Sequence, residues 1–320
     1  MQPRDLSAHV PYEAGRGIEE TARELGVAPE ELTKLSSNES AWGPSPKAVV
    51  AIREAATSVH AYPKASHTDL TAKLADQFDV ADEQVWLANG GDGALDYLAR
   101  ALLAPGEAVL VSDPGFAYYA MSARFHHGEV ASYPLYKSDG FTQRADNVLE
   151  HYHGERVVYV TSPHNPTGTE MPLSEVAALA DGTDEETLVV VDEAYAEFSE
   201  SPSAVELVRE RDDVAVLASE PACRAGIAAL DDEEHIRKTV EGSREAREYM
   251  YDNLDCRTFE SHGNFVLAEV GDGTRVFEAA KREGVIVRDT TSFGLPECVR
   301  ITCGTSAMTE RAVDVLNEVV

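Results

Sequence analysis

Short apolar runs rich in β-branched residues alternate, along the first two-thirds of the chain, with longer segments of helical period. The runs are Gln84 to Ala88, Ala108 to Ser112, Arg156 to Thr161, Thr187 to Val191 and Val214 to Leu217. A strand that faces water on one side alternates apolar and polar residues, whereas one covered on both faces is apolar almost throughout. The pattern predicts an α/β fold with a mainly parallel sheet sandwiched by helices. Those helices fall at Leu70 to Phe78, Gly93 to Leu103, Leu173 to Ala180 and Ala204 to Arg211.

After about residue 232 the character changes. A long charged helix, Glu233 to Asn253, precedes strands at Phe265 to Glu269, Val285 to Val287 and Val299 to Thr302, and a closing helix begins at Met308. This predicts a second, smaller α+β domain, in keeping with a length of 320 residues at roughly 150 per domain. Nothing in the chain reads as an internal repeat or a Pro/Gly/Ser linker, so the two parts are expected to pack closely.

Charge sets limits on function. Asp and Glu number 57 against 27 Lys and Arg, a formal net charge of −30, and only seven of the basic residues are lysine. A nucleic-acid binder needs the opposite balance. Carboxylates in such excess repel one another until salt screens them, which points to a salty cytoplasm. The four cysteines, Cys223, Cys256, Cys298 and Cys303, form no C-x-x-C pair, so neither a disulfide framework nor a zinc cluster is expected. The first twenty residues lack the apolar core of a signal peptide and no stretch reaches membrane-spanning length; the reading is a soluble cytoplasmic protein. His151, His153, His126 and His127 lack companions at ligand spacing and read as surface histidines, with no metal expected.

Open α/β sheets bind ligands at the C-terminal ends of their strands, and three predicted strand ends carry polar signatures. Gln84 to Ala88 runs into Asn89-Gly90-Gly91-Asp92-Gly93 before a helix, whose free backbone N–H groups can hold a phosphate. Arg156 to Thr161 ends in Ser162-Pro163-His164-Asn165-Pro166-Thr167-Gly168, a loop stiffened by proline that presents one Asn amide. Thr187 to Val191 ends in Asp192-Glu193-Ala194-Tyr195; an acid leaving a buried strand calls for a cationic partner.

The pair S-P-H-N-P-T-G and V-V-V-D-E-A-Y resembles the fold-type I pyridoxal-phosphate-dependent aminotransferases, in particular the branch that acts on histidinol phosphate. Further stretches extend the resemblance over nearly the whole chain: Leu35 to Glu39, Trp42 to Pro46, Tyr62-Pro63, Asp113 to Phe116, Gly263 to Phe265 and Val299 to Thr305. It implies a large cofactor-binding domain at 46–232, interrupted near 217–221, and a small domain from 1–45 plus 233–320. The cofactor implied is pyridoxal 5'-phosphate, an electron sink while its ring nitrogen stays protonated. By resemblance Asp192 faces that nitrogen, Asn165 and Tyr195 bond the ring hydroxyl, and Phe116 stacks on the ring. Backbone around Gly91, Asp92 and Gly93 cradles the phosphate, with Tyr62 reaching the phosphate of a neighbouring subunit in a homodimer with shared sites. Arg300 receives the acidic end of the substrate, and Asn38 belongs to the same substrate-binding set. The implied reaction moves an amino group between histidinol phosphate or a similar amine, an aromatic amino acid being the alternative, and 2-oxoglutarate.

One part of the family pattern is absent. Relatives carry S-K-x-x-G-L-A-G-x-R-x-G after the strand that follows D-E-A-Y, and its lysine forms the Schiff base. Here Val214 to Leu217 leads at once into Ala218-Ser219-Glu220-Pro221-Ala222-Cys223-Arg224-Ala225-Gly226. The seven lysines, Lys34, Lys47, Lys64, Lys73, Lys137, Lys238 and Lys281, all stand in other contexts, Lys64 close to Tyr62 and Lys238 on the charged helix. The missing segment would also supply a strand between Val214–Leu217 and the strand ending at Asn89. Without it the sheet must either close the gap or keep two unpaired edges. The alternative function is accordingly a non-catalytic relative that holds a pyridoxal or pyridoxamine phosphate without a covalent link.

Overall fold

The computed structural model describes residues 17–61, 67–218 and 223–320. Among them the strands, in chain order, are β1 (Thr33–Lys34), β2 (Ala108–Asp113), β3 (Glu129–Pro134), β4 (Val157–Thr161), β5 (Leu188–Asp192) and β6 (Val214–Leu217). There follow β7 (Arg257–Thr258), β8 (Phe265–Glu269), β9 (Val285–Ile286), β10 (Arg288–Asp289) and β11 (Cys298–Thr302). Strands β3-β2-β4-β5-β6 form one sheet in that order, with every neighbouring pair parallel. The α/β class expected from the apolar runs is what the chain adopts.

Both faces of this sheet are covered, which is why its strands are continuously apolar. Leu110, Val158, Val160, Val189 and Val191 enter one core with the helices Ala145–His151 and Leu173–Gly182. Val109, Val111, Val157, Tyr159 and Val190 enter another, beneath the helices Gly90–Leu102 and Ala117–Phe125. Successive strand residues point to opposite faces, so one run serves both cores. Each buried Val or Leu contributes roughly 1.5–3 kcal/mol.

The second sheet, β10-β11-β8-β7, is antiparallel, and β1 pairs in parallel with β9. The helices Glu233–Asn253, Gly273–Arg282 and Ser306–Val319 pack on β8 and β11 around Met250, Val266, Ala268, Val276, Val299, Ile301 and Ala312. The long helix keeps the bounds its charge pattern predicts. It buries only Ser243, Ala246, Arg247 and Met250, the i, i+3, i+4, i+7 stripe of a surface helix. Among the described residues no helix is long and apolar enough to cross a membrane.

Gly168 shows how closely the two sheets approach. Its φ is +87°, and a Cβ there would stand 2.4 Å from Ser261 Cβ, while its carbonyl accepts from His262 N at 2.9 Å. Only glycine meets both demands.

Three expectations are corrected. Gln84 to Ala88 is not a strand: residues 82–84 make a 3-10 turn and 85–88 run on unpaired. Apolar character alone cannot make a strand whose hydrogen-bond partner is missing. The helix expected over Ala204 to Arg211 contracts to Val205–Val208, and the strand expected over Val285 to Val287 shortens to β9, with Val287 as the break before β10, which joins a different sheet. Strand β3 carries no continuous apolar run because it is an outer strand, exposed or half-buried at Glu129 to Ser132.

Candidate active site

Strand order reverses between β3-β2 and β4, so the crevice beyond the C-terminal ends of β2 and β4 is where such a sheet places a ligand. Asp113 closes β2 and Pro114 to Phe116 follow it, the loop Ser162 to Gly168 follows β4, and Asp192 closes β5. Ser112 Oγ lies 3.0 Å from His164 Nε2, and His164 Nδ1 lies 2.8 Å from Thr167 Oγ1, tying the first two loops together. Burial pushes His164 down to about 3, so it stays neutral between these hydroxyls.

Asp192 is 7% exposed. The cation its position calls for is not supplied by any described residue at ion-pair distance. Tyr119 Oη instead donates to Asp192 Oδ2 at 2.5 Å, and the Ala194 N–H donates to Oδ1 at 3.0 Å. Burial raises the Asp192 carboxyl above its ordinary range, against the pull of these two donors. Tyr119 also meets Phe116 edge-on at 5.4 Å between ring centroids, so one side chain links Phe116 to the acid.

A second group gathers residues from four parts of the chain. Arg300, 5% exposed on β11, donates from Nη1 to Asn165 Oδ1 at 2.5 Å and from Nη2 to the Ser36 carbonyl at 3.1 Å. Its guanidinium lies 5.2 Å over the Phe265 ring, and Tyr195 meets that ring edge-on at 5.2 Å. Asn38 donates from Nδ2 to Tyr195 Oη at 3.1 Å. The Asn38 backbone has φ +55° and is held by Thr302 Oγ1 at its N–H and Asn264 Nδ2 at its carbonyl. Asn38, Asn165, Tyr195 and Arg300, scattered in sequence, thus form one network.

Gly91, Asp92 and Gly93 occupy the first turn of the helix Gly90–Leu102, whose N–H groups have no intrahelical partner. Partial desolvation and the neighbouring Asp96 carboxylate raise Asp92. The end of β6 lies close by: a Cβ at Gly91 would stand 3.9 Å from Leu217 Cδ2, and Leu217 O accepts from Glu193 N. The helix start therefore meets the end of β6 at the ligand end, while 85–88 gain no pairing with β6. Tyr62 and Lys64 lie outside the described residues.

Of the other lysines, Lys34 pairs with Glu39, Lys47 with Asp232, Lys73 with Asp231, Lys137 with Glu269 and Glu297, and Lys281 with Glu24 and Glu278; Lys238 is exposed. None of these contacts involves a residue of the two groups above. Tyr119, Thr161 and Thr302 escape the sequence reading. Tyr119 alone left a trace, standing three residues after Phe116 in the first turn of the helix Ala117–Phe125.

The fold and these strand-end motifs define an aminotransferase: the chain belongs to the family of class I and II aminotransferases, whose description matches residues 30–219 and again 212–316. The two matches overlap at 212–219, across β6. A histidinol-phosphate aminotransferase of Natronomonas pharaonis is 62% identical over 353 aligned positions, covering 99% of each chain, and one of Haloarcula marismortui is 58% identical over 355, covering 100% of this chain and 99% of that one. These alignments are longer than the 320-residue chain, so the relatives carry residues with no counterpart here. The structure of a Sinorhizobium meliloti histidinol-phosphate aminotransferase in complex with pyridoxal-5'-phosphate superposes with a TM-score of 0.87 at 22% identity, covering 99% of this chain and 97% of that one.

Proposed function

We propose that this site is that of a histidinol-phosphate:2-oxoglutarate aminotransferase, built to seat pyridoxal 5'-phosphate but to hold it without a covalent link. The substrate assignment is supported by the full-length identity to relatives of that name. The observation that carries the seat is Asp192, a buried carboxylate at the end of β5 with donors on both oxygens and no described cation beside it. A protonated pyridine nitrogen is the partner such an acid lacks.

The other residues fit the non-covalent part of the cofactor. Phe116 would cover its ring face, and Asn165 and Tyr195 would meet its hydroxyl. The first turn at Gly91 to Gly93 would take the phosphate, with Tyr62 of a second subunit completing that pocket in a homodimer. Arg300, with its planar fork, would take the carboxylate or phosphate of the substrate, beside Asn38. The residues do not fit the covalent attachment: no described lysine is at the site, and the segment that carries it in relatives is absent. No proton-transfer step is therefore assigned to this chain. Its surplus of 30 negative charges and its relatives from haloarchaea support a salt-adapted cytoplasmic protein.

The test is intact mass and visible absorbance with pyridoxal phosphate in high salt, before and after borohydride. The expected result is reversible binding with no mass added to the 34.7 kDa chain, and little turnover of histidinol phosphate. A reducible adduct at one lysine, Lys64 above all, would overturn the non-covalent reading. Turnover of aromatic amino acids in preference to histidinol phosphate would overturn the substrate.

A further inference from the structure

The hydroxyl that contacts Asp192 belongs to a directed chain. Tyr119 Oη lies 2.5 Å from Asp192 Oδ2 and 2.8 Å from Thr161 Oγ1. A phenol has one proton, and a carboxylate can only accept. With Asp192 ionised the order is fixed: Thr161 donates to Tyr119, and Tyr119 donates to Asp192. Tyr159 and Thr161 alternate along β4 and share one of its faces. That face holds both ends of Tyr119, its ring stacked on Tyr159 at 4.7 Å and 7° and its hydroxyl bonded to Thr161. With Phe116 against its edge, Tyr119 has little freedom to turn.

We propose that Tyr119 is a positioning residue that keeps the Asp192 carboxylate charged and aimed at a cationic ring nitrogen, with Thr161 setting the direction of its bond. The inference rests on the pyridoxal-phosphate reading of the site. Its physical basis is that a donor to the charged form favours that form, and more so in a buried site. The surrounding groups make the donor necessary. Burial, and the Asp92 carboxylate on the helix Gly90–Leu102, both oppose ionisation of Asp192. Glu193 adds a second nearby carboxylate, turned to the other face and bonded to Ser203 and the Ala204 N–H. Tyr119 and the Ala194 N–H are the two donors that work against them. Tyr119 itself is pushed well above its ordinary range by burial and by Asp192, so its proton is retained.

The probe is 4'-deoxypyridoxine 5'-phosphate, which has no aldehyde and cannot join a lysine. Its dissociation constant and the protonation state of its bound ring, read from its ultraviolet spectrum against pH, are measured for the full chain and for Tyr119→Phe, Thr161→Val, Thr161→Ser and Asp192→Asn. The wild-type chain should keep the ring protonated to a higher pH than in free solution. Tyr119→Phe should weaken binding by about tenfold, the worth of a hydrogen bond to a charged group, and lower the pH at which the bound ring loses its proton. Thr161→Val should move both readings in the same direction by less, and Thr161→Ser should restore them. If Tyr119→Phe leaves both readings unchanged while Asp192→Asn loses them, Tyr119 only packs and the proposal is overturned. Should Tyr119→Phe lose its thermal transition, Thr161→Val decides by the same criterion. No binding by the wild-type chain would instead sink the cofactor reading, and this inference with it.

Discussion

Arg300, on β11, and Asn165, in the loop after β4, stand 135 residues apart in sequence, and their side chains meet at 2.5 Å in a buried site. One guanidinium nitrogen thereby holds the amide that follows β4, and another holds the carbonyl of Ser36. The arginine is oriented before any substrate arrives.

Arg300→Lys should show what the planar fork is worth. An ammonium cannot bond Asn165 and Ser36 together with the fork's geometry, so affinity for 2-oxoglutarate should fall by about 1.5–3 kcal/mol. Isothermal titration of the two proteins measures this directly.

Asp192→Asn should stabilise the ligand-free chain near neutral pH. The folded-state carboxyl of Asp192 is raised above 3.8, so its contribution is fully favourable below the unfolded value and is lost as pH rises through the folded one. The amide carries no charge to desolvate. Melting curves should show the variant's advantage at pH 7 shrinking as pH falls toward 3.8 and then vanishing, the reverse of the loss expected in ligand binding.

Gly168→Ala should cost about 2 kcal/mol or more. A positive φ penalises any Cβ, and this one would collide with Ser261, forcing the loop away from the segment that carries it. Urea denaturation would register the loss, and an unchanged midpoint would contradict the close approach.

Strand β6 should exchange its amides faster than β4 and β5. Among the described residues it is bonded on one side only, and Ala215, Val216 and Leu217 are half-buried, whereas β4 is fully buried. Residues 85–88 should exchange faster still. Equal protection across β4, β5 and β6 would mean that the gap closes in solution.

Added potassium chloride should raise the melting temperature steadily from 0.1 M upward. The Debye length contracts from about 10 Å at 0.1 M to about 3 Å at 1 M, and repulsion within a chain of net charge −30 is screened accordingly. A transition independent of salt would count against the adaptation inferred from composition.

Much of this was legible before any coordinates. The continuous runs at Ala108, Arg156, Thr187 and Val214 announced strands buried on both faces, because burial on two sides leaves no place for polar residues. The polar residues at their ends, Asn165, Asp192 and Tyr195, pointed to a candidate site because open sheets bind ligands there. The absence of a lysine after Val214–Leu217 is likewise written in the chain itself. What the sequence could not decide were relationships between distant residues. Gln84 to Ala88 has the composition of a strand but not the conformation, because a strand exists only through its neighbour. Asp192 reads as an acid in need of a cation, yet what meets it is Tyr119, brought from another element by a helix laid against β2 and β3. Local composition determined what each segment could become; tertiary packing alone decided which hydroxyl, amide and guanidinium came within hydrogen-bonding distance, since those distances are set by long-range contacts.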